Sequence, residues 1–135
     1  MTGELYALLT QHSVLRTPEA EDDIEAFDEG VAGAGDGGGL GARLFGARAR
    51  VVGAGKRSGS TPSYVSGLLI GAEVAAAPGL LGLSGPQEVA LIGDPVLCTR
   101  YQRVLQARGH RVQAWDGAEA ARVGLLALHR RSPSS

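Results

Sequence analysis

Between residues 88 and 115 the chain spells a strand, a tight turn, an amphipathic helix and a second strand, and no other feature limits its fold as much. Residues 88–92 (Glu-Val-Ala-Leu-Ile) make an apolar run of strand length, and Gly93-Asp94-Pro95 closes it with a turn. Pro95 suits the first helical turn, where its missing N–H would have no partner anyway. Leu97, Tyr101, Val104 and Leu105 place an apolar face along residues 95–108, Gly109 stops that helix, and residues 111–115 read as the second strand. Two strands joined by a helix are expected to run parallel with a right-handed crossover, leaving a ligand crevice at the carboxyl end of the first strand, beside Gly93. After Asp116-Gly117 a last helix carries Val123, Leu126 and Leu128 toward a polar tail at 130–135.

The preceding two thirds read as helices. Leu5, Leu8, Leu9, His12 and Leu15 recur at helical spacing, and Pro18 marks where that helix has ended. Thr17-Pro18 followed by acids is a helix-start signal, because carboxylates favour the positive end of the helix dipole; Ile24, Phe27 and Val31 then line one apolar stripe. The glycine-rich run 30–41 is expected to break the helix and act as a flexible joint, with a short helix resuming through Leu40, Leu44, Phe45 and Arg48. A second flexible stretch covers 53–60. Ser60 or Thr61 as cap and Pro62 in the first turn open a further helix through Tyr64, Leu68, Leu69 and Val74, ending near Pro78. Gly67 and Gly71 lie four apart on it, and each costs about 1 kcal/mol of helix propensity relative to alanine. Such a pair fits the close approach of a neighbouring backbone or a ligand.

Composition narrows the function classes. A chain of 135 residues is about one domain's worth, and with 44% apolar residues it can pack a core. A net charge of −1 gives no general grip on nucleic acid or anionic lipid, so neither is an expected partner. The charge is nonetheless uneven. Residues 1–36 carry nine carboxylates against Arg16 alone, a balance of −8, and the remainder balances at +7, so an acidic face packed near a basic one is expected. The single cysteine, Cys98, rules out an internal disulfide and reads as a buried small side chain in a cytoplasmic protein. No run reaches the 18 to 20 or so consecutive apolar residues of a membrane span.

Two motif look-alikes fail on context. Gly33-Ala-Gly-Asp-Gly-Gly38 has the letters of a dinucleotide fingerprint but follows an acidic helix where a strand is needed. Gly55-Lys56 lacks the leading glycine of a P-loop, since position 50 is Arg, and Arg57 stands where a Mg²⁺-binding hydroxyl belongs. His12, His110 and His129 have no metal-ligand spacing. Gly93-Asp94-Pro95 is then the candidate site on spacing alone, where glycine permits close backbone approach and a helix N-terminus meets a polar ligand.

Several segments in order carry a resemblance: Met1-Thr-Gly-Glu-Leu-Tyr-Ala-Leu-Leu with His12-Ser-Val-Leu, Arg43-Leu-Phe-Gly-Ala-Arg, Tyr64-Val-Ser-Gly-Leu-Leu-Ile-Gly-Ala-Glu73, and Leu91-Ile-Gly-Asp-Pro-Val-Leu-Cys-Thr-Arg-Tyr101. Together they resemble the C-terminal part of the 2-dehydro-3-deoxygalactonokinases, over nearly the whole chain. The resemblance implies a helix-rich α/β fold with a C-terminal βαβ unit, a partial C-terminal domain of the actin-like ATPase (RNase H-like) fold. It implies ATP and Mg²⁺ as cofactors and phosphorylation of 2-dehydro-3-deoxygalactonate on its terminal hydroxyl. By matching position, Gly93, Asp94 and Pro95 would meet the adenosine, Gly67 and Gly71 would lie on a helix near it, and Glu4 would lie near the substrate cleft. A full member is longer. Met1 coincides with a methionine internal to the family, so the first phosphate loop, the carboxylate base and the Gly-Thr phosphate loop are expected to belong to a missing N-terminal half. The alternative expectation is a non-catalytic nucleotide-binding or interaction module, prone to self-association through uncovered apolar surface.

Overall fold

A computed structural model describes residues 2–35 and 38–131. Length alone implies one core, but the chain divides into two compact units, Met1–Leu83 and Ser84–Ser135.

The first unit is helical: α1 (Thr2–His12), α2 (Ile24–Gly33), α3 (Leu40–Val52), a 3₁₀ turn (Ser58–Ser60) and α4 (Thr61–Leu81). Eleven residues of α4 are buried, from Thr61 to Val74, because α1, α2 and α3 all pack on this one helix. By length and composition α4 could cross a bilayer; here it is the central core helix of the unit. Val65 and Leu69 of α4 meet Ala47 of α3 and Leu15, and Leu5, Leu9 and Leu44 pack around them.

The α2–α4 contact is backbone to backbone. A Cβ on Gly67 would fall 2.0 Å from the Phe27 carbonyl oxygen, one on Gly30 would fall 2.2 Å from the Tyr64 carbonyl oxygen, and one on Gly71 would meet Ala34 and Val31. Three missing side chains let two helices approach until carbonyls touch Cα positions, and Phe27 is thereby driven fully into the core. Gly30, Gly33 and Gly41 sit inside helices, so of the glycine-rich run only residues 34, 35, 38 and 39 are described outside a helix; Asp36 and Gly37 of the fingerprint look-alike lie outside the described residues.

Two helix limits differ from those the sequence signals. α2 begins at Ile24, not after Pro18, because the Asp23 carboxylate caps Ala26 N at 3.0 Å. Residues 21–23 are held outside any helix by other bonds. Glu21 N donates to the Gly59 carbonyl at 2.9 Å, and Ser63 Oγ accepts from Asp23 N at 3.0 Å and donates to the Glu21 carbonyl at 3.1 Å. At the other end α4 runs through Pro78 to Leu81. A proline this late removes one hydrogen bond only, and Gly82, in the left-handed region at φ 64°, returns its N–H to the Pro78 carbonyl. No side chain caps the start of α4; Ser60 Oγ turns back to the Arg57 carbonyl at 2.8 Å.

The second unit follows the expected order: β1 (Glu88–Gly93), α5 (Pro95–Ala107), β2 (Arg111–Asp116) and α6 (Gly117–Arg131). The strands pair in parallel from Glu88↔Arg111 to Gly93↔Asp116. Cys98, Val104 and Leu105 of α5 are buried, whereas Leu97, expected to point inward, is exposed near the helix start.

The glycine contact generates paired expectations of opposite sign. Gly67→Ala should lower stability by about 3 kcal/mol through overpacking. Gly46→Ala, on α3 with nothing within 4 Å of the added carbon, should raise it by up to about 1 kcal/mol through helix propensity. Urea unfolding of the two variants checks both.

Candidate functional site

The turn after β1 is built by Asp94. Its backbone is extended (φ −60°, ψ 133°), its Oδ1 accepts from Leu97 N at 3.0 Å, and its carbonyl accepts from Cys98 N at 2.9 Å. Pro95 brings no N–H. The positive end of α5 therefore already carries a carboxylate, which disfavours a phosphate there but leaves oxygen lone pairs free for a hydroxyl donor. The end of β2 repeats the device, with Asp116 Oδ1 accepting from Glu119 N at 2.9 Å at the start of α6. The two turns touch. A Cβ on Gly117 would lie 3.2 Å from Gly93 Cα.

Gly93 itself needs no special backbone. Among the described residues the left-handed glycines are Gly38, Gly55, Gly82, Gly85 and Gly109. A Cβ on Gly93 would meet Cys98 Sγ at 3.7 Å, an ordinary contact. Glycine leaves this position without a side chain at the carboxyl edge of the sheet, where α/β proteins bind ligands.

The other candidates lie in the first unit. Gly67 and Gly71 turn their bare faces to α2, so of the two uses their spacing allowed, the neighbouring backbone is the one realised. Glu4 is exposed in the first turn of α1. Beside it Thr2 Oγ1 donates to Glu73 Oε2 at 2.6 Å, which ties the start of α1 to α4. Glu73 is the one charged side chain among the 21 residues of α4, a sequence signal that the reading of that helix as an apolar stripe passes over.

A second group that spacing did not reveal lies on the 53–57 loop. Glu29 of α2 receives Arg50 Nη2 at 2.5 Å and Lys56 Nζ at 2.7 Å, while Arg57 reaches Glu21 at 2.7 Å and Asp23 at 3.5 Å. The Arg50 guanidinium also covers the Tyr64 ring at 3.9 Å. Here the acidic N-terminal part meets the basic remainder, as the charge asymmetry implied. Lys56, the lysine of the P-loop look-alike, is spent on Glu29. Hydrogen bonds from Lys56 and then Arg50 hold the Glu29 carboxyl below its ordinary value of 4.5, against a smaller opposing effect of burial. Among the described residues no three His, Cys, Asp or Glu side chains gather as a metal site.

A parallel β–α–β–α unit with a glycine-opened turn, following a helical unit, defines a helix-rich α/β protein. Residues 1–128 match the family described as 2-keto-3-deoxy-galactonokinase, and the chain belongs to that family. It is 35% identical to "Probable 2-dehydro-3-deoxygalactonokinase DgoK1" of Rhizobium meliloti (strain 1021), over 96% of this chain and 44% of that protein. It is 34% identical to the 2-dehydro-3-deoxygalactonokinase of Escherichia coli (strain K12), over 95% of this chain and again 44% of the relative. A crystal structure from Sinorhizobium meliloti, named for the same kinase, superposes with a TM-score of 0.81 at 32% identity, covering 96% of this chain and 44% of that one. The chain thus spans somewhat less than half the length of these relatives.

Glu29 supports a pH expectation. A carboxyl held below its ordinary value stabilises the fold fully above pH 4.5, and that contribution is lost as pH falls through the depressed value. The side chain is 43% exposed and screened, so Glu29→Gln should cost only about 0.5 kcal/mol at pH 7. It should also flatten the acid limb of stability; chemical denaturation at pH 7 and pH 3.5 reads both effects.

Proposed function

We propose that this chain forms the adenosine side of an ATP-dependent kinase of the actin-like ATPase fold, which transfers a phosphoryl group to the terminal hydroxyl of 2-dehydro-3-deoxygalactonate. The observation that carries the reading is the family match over residues 1–128, which includes the Gly93-Asp94-Pro95 turn. The chemistry of that turn supports the adenosine end of the nucleotide over its triphosphate. Asp94 already neutralises the start of α5, so a phosphate is disfavoured, whereas a ribose hydroxyl can donate to the remaining carboxylate lone pairs. Gly93 leaves room for the base, and Pro95 fixes where the helix starts. Gly67 and Gly71 act at one remove in this reading, by holding α2 on α4.

ATP supplies the phosphoryl group when bound, and the residues of this chain position its adenosine. No residue is assigned to Mg²⁺, since no three His, Cys, Asp or Glu side chains gather among the described residues. Phosphoryl transfer depends on placing both substrates in line, so the phosphate-binding loops and the carboxylate base belong to the portion of the kinase outside these residues. A cytoplasmic setting accompanies this reading.

The test uses an ADP-release assay on the chain alone and on the chain mixed with the portion of the Escherichia coli relative that it does not match. The chain alone should give no turnover, and the mixture should phosphorylate 2-dehydro-3-deoxygalactonate. Turnover by the isolated chain at ordinary kinase rates, about 1 to 100 per second, would refute the division of labour. In the active mixture Gly93→Val should weaken ATP binding at least tenfold by calorimetry and leave the melting temperature nearly unchanged; equal affinity would remove Gly93 from the site.

A further inference from the structure

We infer that His110 is a proton-operated clasp on the entry to β1: the neutral imidazole holds residues 84–87 on the start of β2, and its protonation releases them. The device stands apart from the nucleotide reading, since the Gly93 turn lies at the other end of the strand.

Gln87 precedes β1, and its backbone is held on both sides by the start of β2. Its carbonyl accepts from Arg111 N at 2.9 Å, the ordinary parallel pattern, and its N–H donates to His110 Nδ1 at 3.0 Å. A continuing ladder would offer that N–H a backbone carbonyl of β2. Here the chain has already turned away, because Gly109 sits in the left-handed region at φ 85° and His110 N donates back to the Leu105 carbonyl at 3.1 Å. The imidazole takes the place of the strand carbonyl. The segment before it is curled on itself, with Gln87 Nε2 donating to the Ser84 carbonyl at 3.0 Å around the left-handed Gly85.

Accepting a hydrogen bond commits the ring. Nδ1 must keep its lone pair, so the one proton of the neutral imidazole sits on Nε2. In the imidazolium both nitrogens carry protons, and Nδ1–H then faces the N–H of Gln87, donor against donor. The bond is lost, and the N–H of a half-buried residue gives up its acceptor. The charged groups next to His110 along the chain and across the ladder are Arg108, Arg111 and Glu88. Two are cations, and the carboxylate among them already receives Arg111 at 3.4 Å. The clasp is therefore closed with the ring neutral, at higher pH, and opens as pH falls. Glu29 does not blur this response, because that carboxyl changes charge below 4.5.

Long-range ¹H–¹⁵N spectra of the ¹⁵N-labelled chain between about pH 8 and pH 5, the range in which histidine changes charge, test the clasp. Of the three histidines, His110 should show the Nε2–H tautomer at the upper end. The protection factor of the Gln87 amide, which removes the intrinsic pH dependence of hydrogen exchange, should fall at least tenfold toward the lower end, while that of Leu91 inside β1 holds steady. His110→Asn sets Oδ1, an acceptor that does not titrate, near the place of Nδ1 and should keep Gln87 protected throughout; His110→Ala should leave it unprotected throughout. An Nδ1–H tautomer at the upper end overturns the clasp, and so does equal Gln87 protection in the wild type at both ends. A pH response that survives in His110→Asn assigns it to another group and does the same. Parallel loss at Leu91 makes the event unfolding of the unit, which also overturns a local release. Should either variant fail to fold, the wild-type tautomer and protection factors decide the matter.

Discussion

The helical unit depends on one contact, the approach of α2 to α4 at Gly30, Gly67 and Gly71. At Gly30 and Gly67 carbonyl oxygens stand where Cβ atoms would be, and at Gly71 the Ala34 methyl does, so a larger side chain at any of the three forces the helices apart. The helix propensity given up at three glycines is offset by dense packing around Phe27, Leu68 and Ile70, which are almost wholly buried. α1 and α3 also rest on α4, so every other α-helix of the unit packs against that one helix.

Carboxylates organise the rest. Asp23, Asp94 and Asp116 each begin a helix by accepting a backbone N–H, and in each case the side chain decides where the helix starts. Glu29 and Glu21 instead gather Arg50, Lys56 and Arg57, so a loop rich in glycine and cations is held to α2. One residue type thus does two jobs, and which one it does depends on whether a helix start or a cation lies within reach.

The turn at Gly93 is capped and already negatively charged, which disfavours an anion at the start of α5. Ile92 and Trp115 stand exposed on the sheet of the same unit.

Much of this was legible from the residues in order. Local signals were sufficient for the βαβ unit, because the apolar run 88–92, the Gly-Asp-Pro turn and Gly109 each act within a few residues of themselves. The same holds for the burial of Cys98, the failure of the P-loop look-alike and the family. Local signals misplaced the start of α2 and the end of α4. Pro18 is a competent helix start, but Gly59 and Ser63, some forty residues away, bond Glu21 and Asp23 outside a helix, and the start falls at Asp23. The glycines of α2 and α4 could be read as meeting a backbone or a ligand, and only the packed helices decided for backbone. Tertiary structure alone joined Thr2 to Glu73 and Glu29 to Lys56, because such pairs depend on the distance between helices, which no local spacing encodes.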